Sequence, residues 1–349
     1  MFLCGNARSQ DSLSKRWSLS GFPVAYYSPE SSLGIGLFGL YNFNWKNDSI
    51  GARKSSMTLG TAYTLNRQIL FYLPYNLFLK NDTYRLNGEI GFYDYVYFFF
   101  GRGNVPGSYD EKKEAFSLKF PRLRTTFMRK IADNMFLGGR LATDYYYDLV
   151  LAEQSVIRDE NLLGQDVGLN FGIGPAFLYD TRSSIFYPRS GYYLDVNSTV
   201  ELGEIVSDYQ FSRLIVDASA FRSLSKKTVL GVNLYYQQAQ GEVPFYQLSM
   251  MGGGRKLRGQ FEGEFRDNIA WQGQLELRQE FFKNFGAVAF VGMGVVAKTW
   301  KGFDLKNQHN GVGVGLRYKL NKKDHVNIRV DVGYGDGQWW PYFTLGEAF

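Results

Sequence analysis

The chain has 349 residues, with 39 basic and 33 acidic side chains mixed along it for a net charge of +6, so no basic block marks a nucleic-acid surface. A single cysteine, Cys4, leaves no intrachain disulfide, and two histidines, His309 and His325, give no basis for a histidine metal cluster. Aromatics reach 17% while mean hydropathy is −0.26, so apolar and polar residues are interleaved, and no run approaches the ~18 apolar residues of a membrane-spanning helix.

Residues 1–18 read as the end of a signal peptide and a short periplasmic tail. Apolar MFLC is followed by Ala7-Arg8-Ser9 before Gln10, which suits cleavage after a small residue. The stretch is too short for a whole leader, which puts the start of the leader upstream and removes Cys4 with it. A disordered cytosolic start is the alternative.

From residue 19 on, period-two alternation dominates, the signature of strands. The first hairpin spans Leu19–Ser28 and Leu33–Trp45. Then come Arg53–Leu65, Gln68–Lys80, Thr83–Phe100, Lys113–Ile131 and Asn134–Leu149. Asp166–Arg182, Gly191–Leu202, Asp208–Leu224 and Lys226–Gly241 follow. After a long insert come Asn268–Phe282, Phe285–Lys298, Gly311–Leu320, His325–Gly333 and Gln338–Phe349. That makes sixteen strands, each near or above the ~9–11 residues of a tilted membrane strand.

Alternation alone also suits a soluble sandwich. Two features favour a transmembrane barrel: opposite charges in mid-strand on the polar faces, as at Glu276 and Arg278, and aromatics near strand ends, as in Tyr145-Tyr146-Tyr147 and Trp339-Trp340. A sheet in lipid must close, because an open edge leaves backbone groups unpaired. Short turns at Asn81-Asp82, Ala132-Asp133 and Asn321-Lys322-Lys323 alternate with long links at Gly101–Lys112, Val150–Gln165 and Thr299–Asn310. This asymmetry puts the short turns and both termini in the periplasm and the long links outside the cell. The fold class is therefore all-β: one 16-stranded antiparallel transmembrane β-barrel over residues 19–349.

The longest link, residues 242–267, contains GGGRKLRGQFEGEF and is dense in glycine and charge. It lacks the Gly-Lys-Ser/Thr ending of a phosphate loop. Gly292-Met293-Gly294-Val295-Val296-Ala297 fits a dinucleotide pattern but opens no helix. Neither histidine has a serine partner in sequence, so catalysis is not expected, and no cofactor or metal is expected.

Together these stretches resemble one family, the BamA/TamA-type outer-membrane assembly barrels (bacterial surface antigen barrels). FPVAYYSPESSLGIG resembles their first hairpin, and YDTRSSIFYPRSG, Tyr179 to Gly191, their central Asp-Thr-Arg segment. GGGRKLRGQF resembles their sixth extracellular loop, and GVGVGLRYKL and NIRVDVGY their late strands. The resemblance implies a loop folded into the lumen as a latch. Arg258, Gly259 and Phe261 would form its core, and Arg258 would pair with Glu276, which its parity independently turns inward. The family's second acid falls at Gly292, so the other partner is sought at Asp331 or Glu280. A solvated surface loop is the alternative. Asp180 and Arg182 are candidates for a lumenal ion pair.

The resemblance also implies a weak seam between the first and last strands, with Pro23 removing a backbone donor and Gly346 softening the last strand up to Phe349. Glu347 falls on the lipid-facing parity. Family members usually carry POTRA domains before the barrel, and the residues before the first strand are too few for one, so the chain is either a piece of a longer protein or a barrel-only member, and the truncated leader favours the second. The expected function is assistance in inserting, assembling or translocating protein, or lipid, at the outer membrane. The expected partners are outer-membrane lipid, client outer-membrane proteins and periplasmic assembly factors, without nucleic acid. A passive pore or structural barrel plugged by residues 242–267 is the second reading.

Overall fold

The computed structural model describes residues 16–46, 48, 53–104, 113–203, 205–282, 284–321 and 326–349. The predicted leader, Cys4 and His325 lie outside the described residues. The strands are β1 (Trp17–Ser28), β2 (Ser32–Phe43), β3 (Ser55–Thr64), β4 (Ile69–Leu79), β5 (Tyr84–Phe99), β6 (Glu114–Ala132) and β7 (Met135–Tyr145). They continue as β8 (Leu169–Asp180), β9 (Gly191–Glu201), β10 (Phe211–Ser223), β11 (Thr228–Gly241) and β12 (Ile269–Glu280). The last four are β13 (Phe285–Ala297), β14 (His309–Asn321), β15 (Val326–Gly335) and β16 (Gln338–Leu345). A short segment, Tyr147–Val150, prolongs β7 along β6. Apart from that segment the main sheet has sixteen strands, each antiparallel to its neighbours in chain order, and it closes between β1 and β16.

Alternation gives the wall its two faces. In β14, Val312, Val314, Leu316 and Tyr318 are exposed outward while Arg317 is buried inward. In β12, Gln272, Gln274, Glu276 and Arg278 are buried while Leu275 and Leu277 are exposed. In β15, Asn327, Arg329 and Asp331 are buried while Val330, Val332 and Tyr334 are exposed. This is a soluble protein turned inside out, with charges inside and large apolar side chains outside, the arrangement that suits a barrel wrapped in lipid.

The end of the barrel that carries the long links is filled. Phe99, Phe116, Leu118 and Phe120 from β5 and β6 pack with Tyr146, Ile157 and Phe245 into an apolar core. Ile157 sits in a one-turn helix, Val156–Asp159, whose start is held by the carboxylate of Glu114: its Oε2 accepts from the Val156 N–H at 2.9 Å. Phe245 begins a short 3₁₀ turn in the insert.

Predicted and observed strand bounds agree within a few residues, except at the end of the last strand. Pairing stops at Leu345, and Gly346 takes φ +83°, a left-handed conformation that breaks the alternation. The side chain of Glu347, expected toward lipid, therefore turns inward, accepting from Arg317 Nε at 2.8 Å and Asn327 Nδ2 at 2.7 Å. Phe349, expected at the seam, instead packs against Phe221 of β10 with ring centroids 5.8 Å apart, and its carbonyl accepts from Arg278 Nη2 at 2.9 Å.

The seam itself is thin. β1 is laddered to β2 from Trp17 opposite Phe43 to Ser28 opposite Ser32, yet it meets β16 at one position, Tyr27 opposite Phe343. Pro23 lies in the stretch of β1 without a partner on β16, is exposed, and stands opposite Leu37 of β2.

Candidate functional site: a charged anchor under the long loop

Residues 242–268 fold back on themselves. Ser249–Met250 pairs with Arg266–Asp267, the Met251 N–H donates to Phe265 O at 3.0 Å, and the Gly253 N–H donates to Gln260 O at 3.0 Å. The turn so formed presents Arg258 to the inward faces of β12 and β15. Its side chain is fully buried.

Four kinds of contact hold that guanidinium. It pairs with Glu276 Oε2, donates from Nη1 to Asp331 Oδ2 at 2.8 Å, and donates from Nε and Nη2 to Gln274 Oε1 at 3.2 Å each. It also lies over the Phe290 ring, 3.8 Å from the centroid. A planar cation with donors on two edges suits such a set, and the ring caps the face that no hydrogen bond can use. Gln274 in turn donates to Arg255 O at 2.5 Å, fixing the loop backbone beside the arginine.

The acids are shared. Glu276 accepts from Arg278 Nε at 2.6 Å, and Asp331 binds Arg317, which also reaches Glu347. A chain of alternating charges thus runs from the loop through three strands to the segment after β16. Glu280, the other candidate partner, is not in it. Glu280 pairs with Arg189 at 3.4 Å and Lys319 at 3.8 Å near the short-turn end.

The loop backbone comes as close as the sequence allows. Gly259 has φ +96° and lies on Gly311, Gly333 and Gly335. A Cβ at 333 would stand 2.6 Å from Gly259 N, and one at 335 would stand 2.2 Å from Gly259 O. The inward glycines of GVGVGLRY and VDVGYG thus make a niche into which Arg258-Gly259 settles. Gly292 belongs to the same logic, since a Cβ there would meet Leu257 Cδ1 at 2.6 Å. The position where the resemblance expected an acid is filled by a loop leucine, and Asp331 contacts the arginine from β15.

The remaining predicted residues fall elsewhere. Phe261 is buried, edge-on to Phe98 and Phe100 at 5.9 and 5.6 Å and tilted against Trp340 at 5.5 Å. Asp180 and Arg182 pair with each other at 2.9 and 3.0 Å at the short-turn end, with Arg182 over the Tyr193 ring. Sequence reasoning passed over Gln274, Arg317 and Tyr342 as contacts. The first two share inward parity with Glu276 and Asp331, which is the signal that would have found them. Nothing local marks Tyr342.

An Omp85 superfamily domain model matches residues 42–348. No curated protein is significantly similar in sequence. Among solved structures, the chain is similar to BamA from Haemophilus ducreyi lacking POTRA domains 1–3, with 17% identity and TM-score 0.62 over 95% of this chain and 70% of that one. It is also similar to CdiB from Acinetobacter baumannii, with 13% identity and TM-score 0.62 over 95% of this chain and 60% of that one. CdiB from Escherichia coli gives 13% identity and TM-score 0.59, again over 95% of this chain and 63% of that one. The likeness to these structures is one of fold, and the chain spans less than two thirds of either CdiB. The family model covers the barrel from the end of β2 through β16, and with it the loop and its charged anchor: the chain belongs to the Omp85 superfamily, a family of transmembrane β-barrels.

Proposed function

We propose that the chain is an outer-membrane barrel that assists insertion, assembly or translocation of protein at that membrane, and that it works by parting β1 from β16. The observation that carries this reading is the seam: one paired position, Tyr27 opposite Phe343, where other neighbouring strands are laddered over most of their length. An unpaired strand edge is a template for another strand, and a client strand adding there would satisfy backbone groups that lipid cannot. The insert with Arg258 at its core acts as a latch, holding the loop inside while the wall opens elsewhere. The role is mechanical, with no catalytic residue.

Cysteines at Tyr27 and Phe343, in a Cys4→Ser background, test the reading. Antiparallel partners sit about 4.5–5.5 Å apart between Cα atoms, within disulfide range. In liposomes, the reduced protein should speed the folding of an unfolded eight-stranded barrel and the oxidised protein should not, with reduction restoring the rate. Equal rates in both states would sink lateral opening.

The apolar core at the long-link end favours one rival, a barrel plugged as a passive structure. Steady, large conductance in planar bilayers would support a pore. Small, fluctuating conductance that rises on Arg258→Ala supports a plugged translocator.

A further inference from the structure

The loop contacts more than its charged anchor. Beyond Gly259 it runs to the two strands that flank the seam. The Gly259 N–H donates to Tyr342 Oη of β16 at 3.3 Å, and Phe261 packs on Trp340 of the same strand. Three residues after Gly259, the Glu262 N–H donates to Glu30 Oε1 at 3.0 Å, and Glu30 lies in the turn joining β1 to β2. That turn is itself fixed to the next hairpin, because Asn66 Nδ2 donates to Glu30 O at 3.1 Å.

We infer that residues 259–262 staple the seam from inside, joining β16 to the β1–β2 turn, so that the two strands cannot part until this stretch of loop lets go. The seam has one ladder position of its own, so these contacts are a large share of what links its sides. Tyr342 is buried and its hydroxyl has no freedom to follow a departing strand while it still accepts from Gly259. Arg258, adjacent to Gly259, sets where the staple begins, and opening is thereby tied to the anchor. This inference rests on the lateral-opening reading for its purpose, but its geometry stands without it.

Amide hydrogen exchange on the barrel in liposomes, with no client present, tests the staple. The variant Glu30→Ala combined with Tyr342→Phe removes both acceptors. Exchange at residues 24–28 and 341–345 should then rise about tenfold, the effect of losing one or two ordinary hydrogen bonds, while the β5–β6 hairpin stays unchanged. Glu30→Gln keeps an acceptor oxygen and should leave the seam at the parent rate. A heat-resistant, folded double variant with parent exchange at the seam overturns the inference, and so does an equal rise in β5–β6. If the double variant does not fold, Tyr342→Phe alone is read by the rate of disulfide formation between cysteines at 27 and 343. A slower rate supports the staple and an unchanged rate overturns it. Because no client enters this measurement, failure of the staple and failure of client insertion are separate results.

Discussion

Between β12 and β15 each strand is laddered to its neighbour, and a fully buried arginine from the loop grips two carboxylates, an amide and a ring of the wall. Between β16 and β1 there is one paired position, and the same loop adds a backbone N–H to a tyrosine and another to a glutamate. One loop therefore grips the two sides of the barrel with unequal chemistry. Charge pairs withdrawn from solvent are costly to break, because a departing partner strands a charge, whereas a single hydrogen bond from a backbone N–H can be exchanged for one to water or to a client. The difference suits a loop held tightly at one end and more weakly at the other.

The largest effect is expected at the fixed end. Arg258→Ala strands Glu276 and Asp331, and loss of a buried partner costs on the order of 3–5 kcal/mol. The cost should fall at the lower end, because Arg278 still holds Glu276 and Arg317 still holds Asp331. Loop docking, read by protease cleavage within residues 242–268, should be lost and conductance should rise. Glu280→Ala, which breaks partly exposed pairs, should change stability by less than about 1 kcal/mol. Equal effects from the two would show that the anchor is no stronger than a surface pair.

The placement of the acid on β15 has a steric cause that one substitution can test. Gly292→Asp would restore the acid that the resemblance expects, beside the arginine. It should destabilise, by about 1–3 kcal/mol, since Leu257 occupies the space. Leu257→Ala in the same chain should recover part of that loss. A stabilising Gly292→Asp would refute the steric account. The case also marks where sequence stops being informative. Alternation placed Glu276, Arg278, Arg317 and Asp331 on one face, because parity in a strand is local and needs no knowledge of neighbours. Which acid meets Arg258 depends on the path of the loop over the wall, a long-range matter that no spacing encodes. Glu347 shows the same limit: parity aimed it at lipid, and one left-handed glycine reversed it. The seam was legible as an idea from Pro23 and Gly346, but its single paired position and the contacts of Glu30 and Tyr342 were not.

Glu347→Gln tests whether the segment after β16 belongs to the fixed end or to the seam. The substitution removes the charge that accepts from Arg317 and Asn327, a loss of about 1–2 kcal/mol for charge-assisted bonds. Amides 346–349 should exchange faster while residues 24–28 keep their rate. If the seam loosens as well, the tail and not only the loop holds it shut, and the contrast between the two sides weakens.

The smallest effect, a pH dependence confined to the seam side, follows from the groups around Glu262. Its carboxyl reaches lumenal solvent yet is surrounded by protein, and loss of bulk water together with nearby Glu30 lifts it to about 7, against the pull of Arg255, Arg266 and Lys256. Tyr95 and Tyr97 of β5 and Tyr235 of β11 also face it. Glu30 is raised too, by burial first, and the Glu262 N–H works in the other direction. Tyr342 faces Glu30 from β16. A carboxyl whose folded value is raised favours the docked state while it holds its proton. The contribution is complete below the ordinary carboxylate range near 4.5 and is lost as pH rises through about 7. Raising the pH from 5 to 8 should therefore speed exchange at residues 24–28 and 341–345 by a few-fold, beyond the intrinsic change measured in an unfolded control. Glu262→Gln, which keeps the backbone N–H to Glu30, should flatten most of that dependence. A seam whose pH response persists in Glu262→Gln would place the titrating group outside the staple.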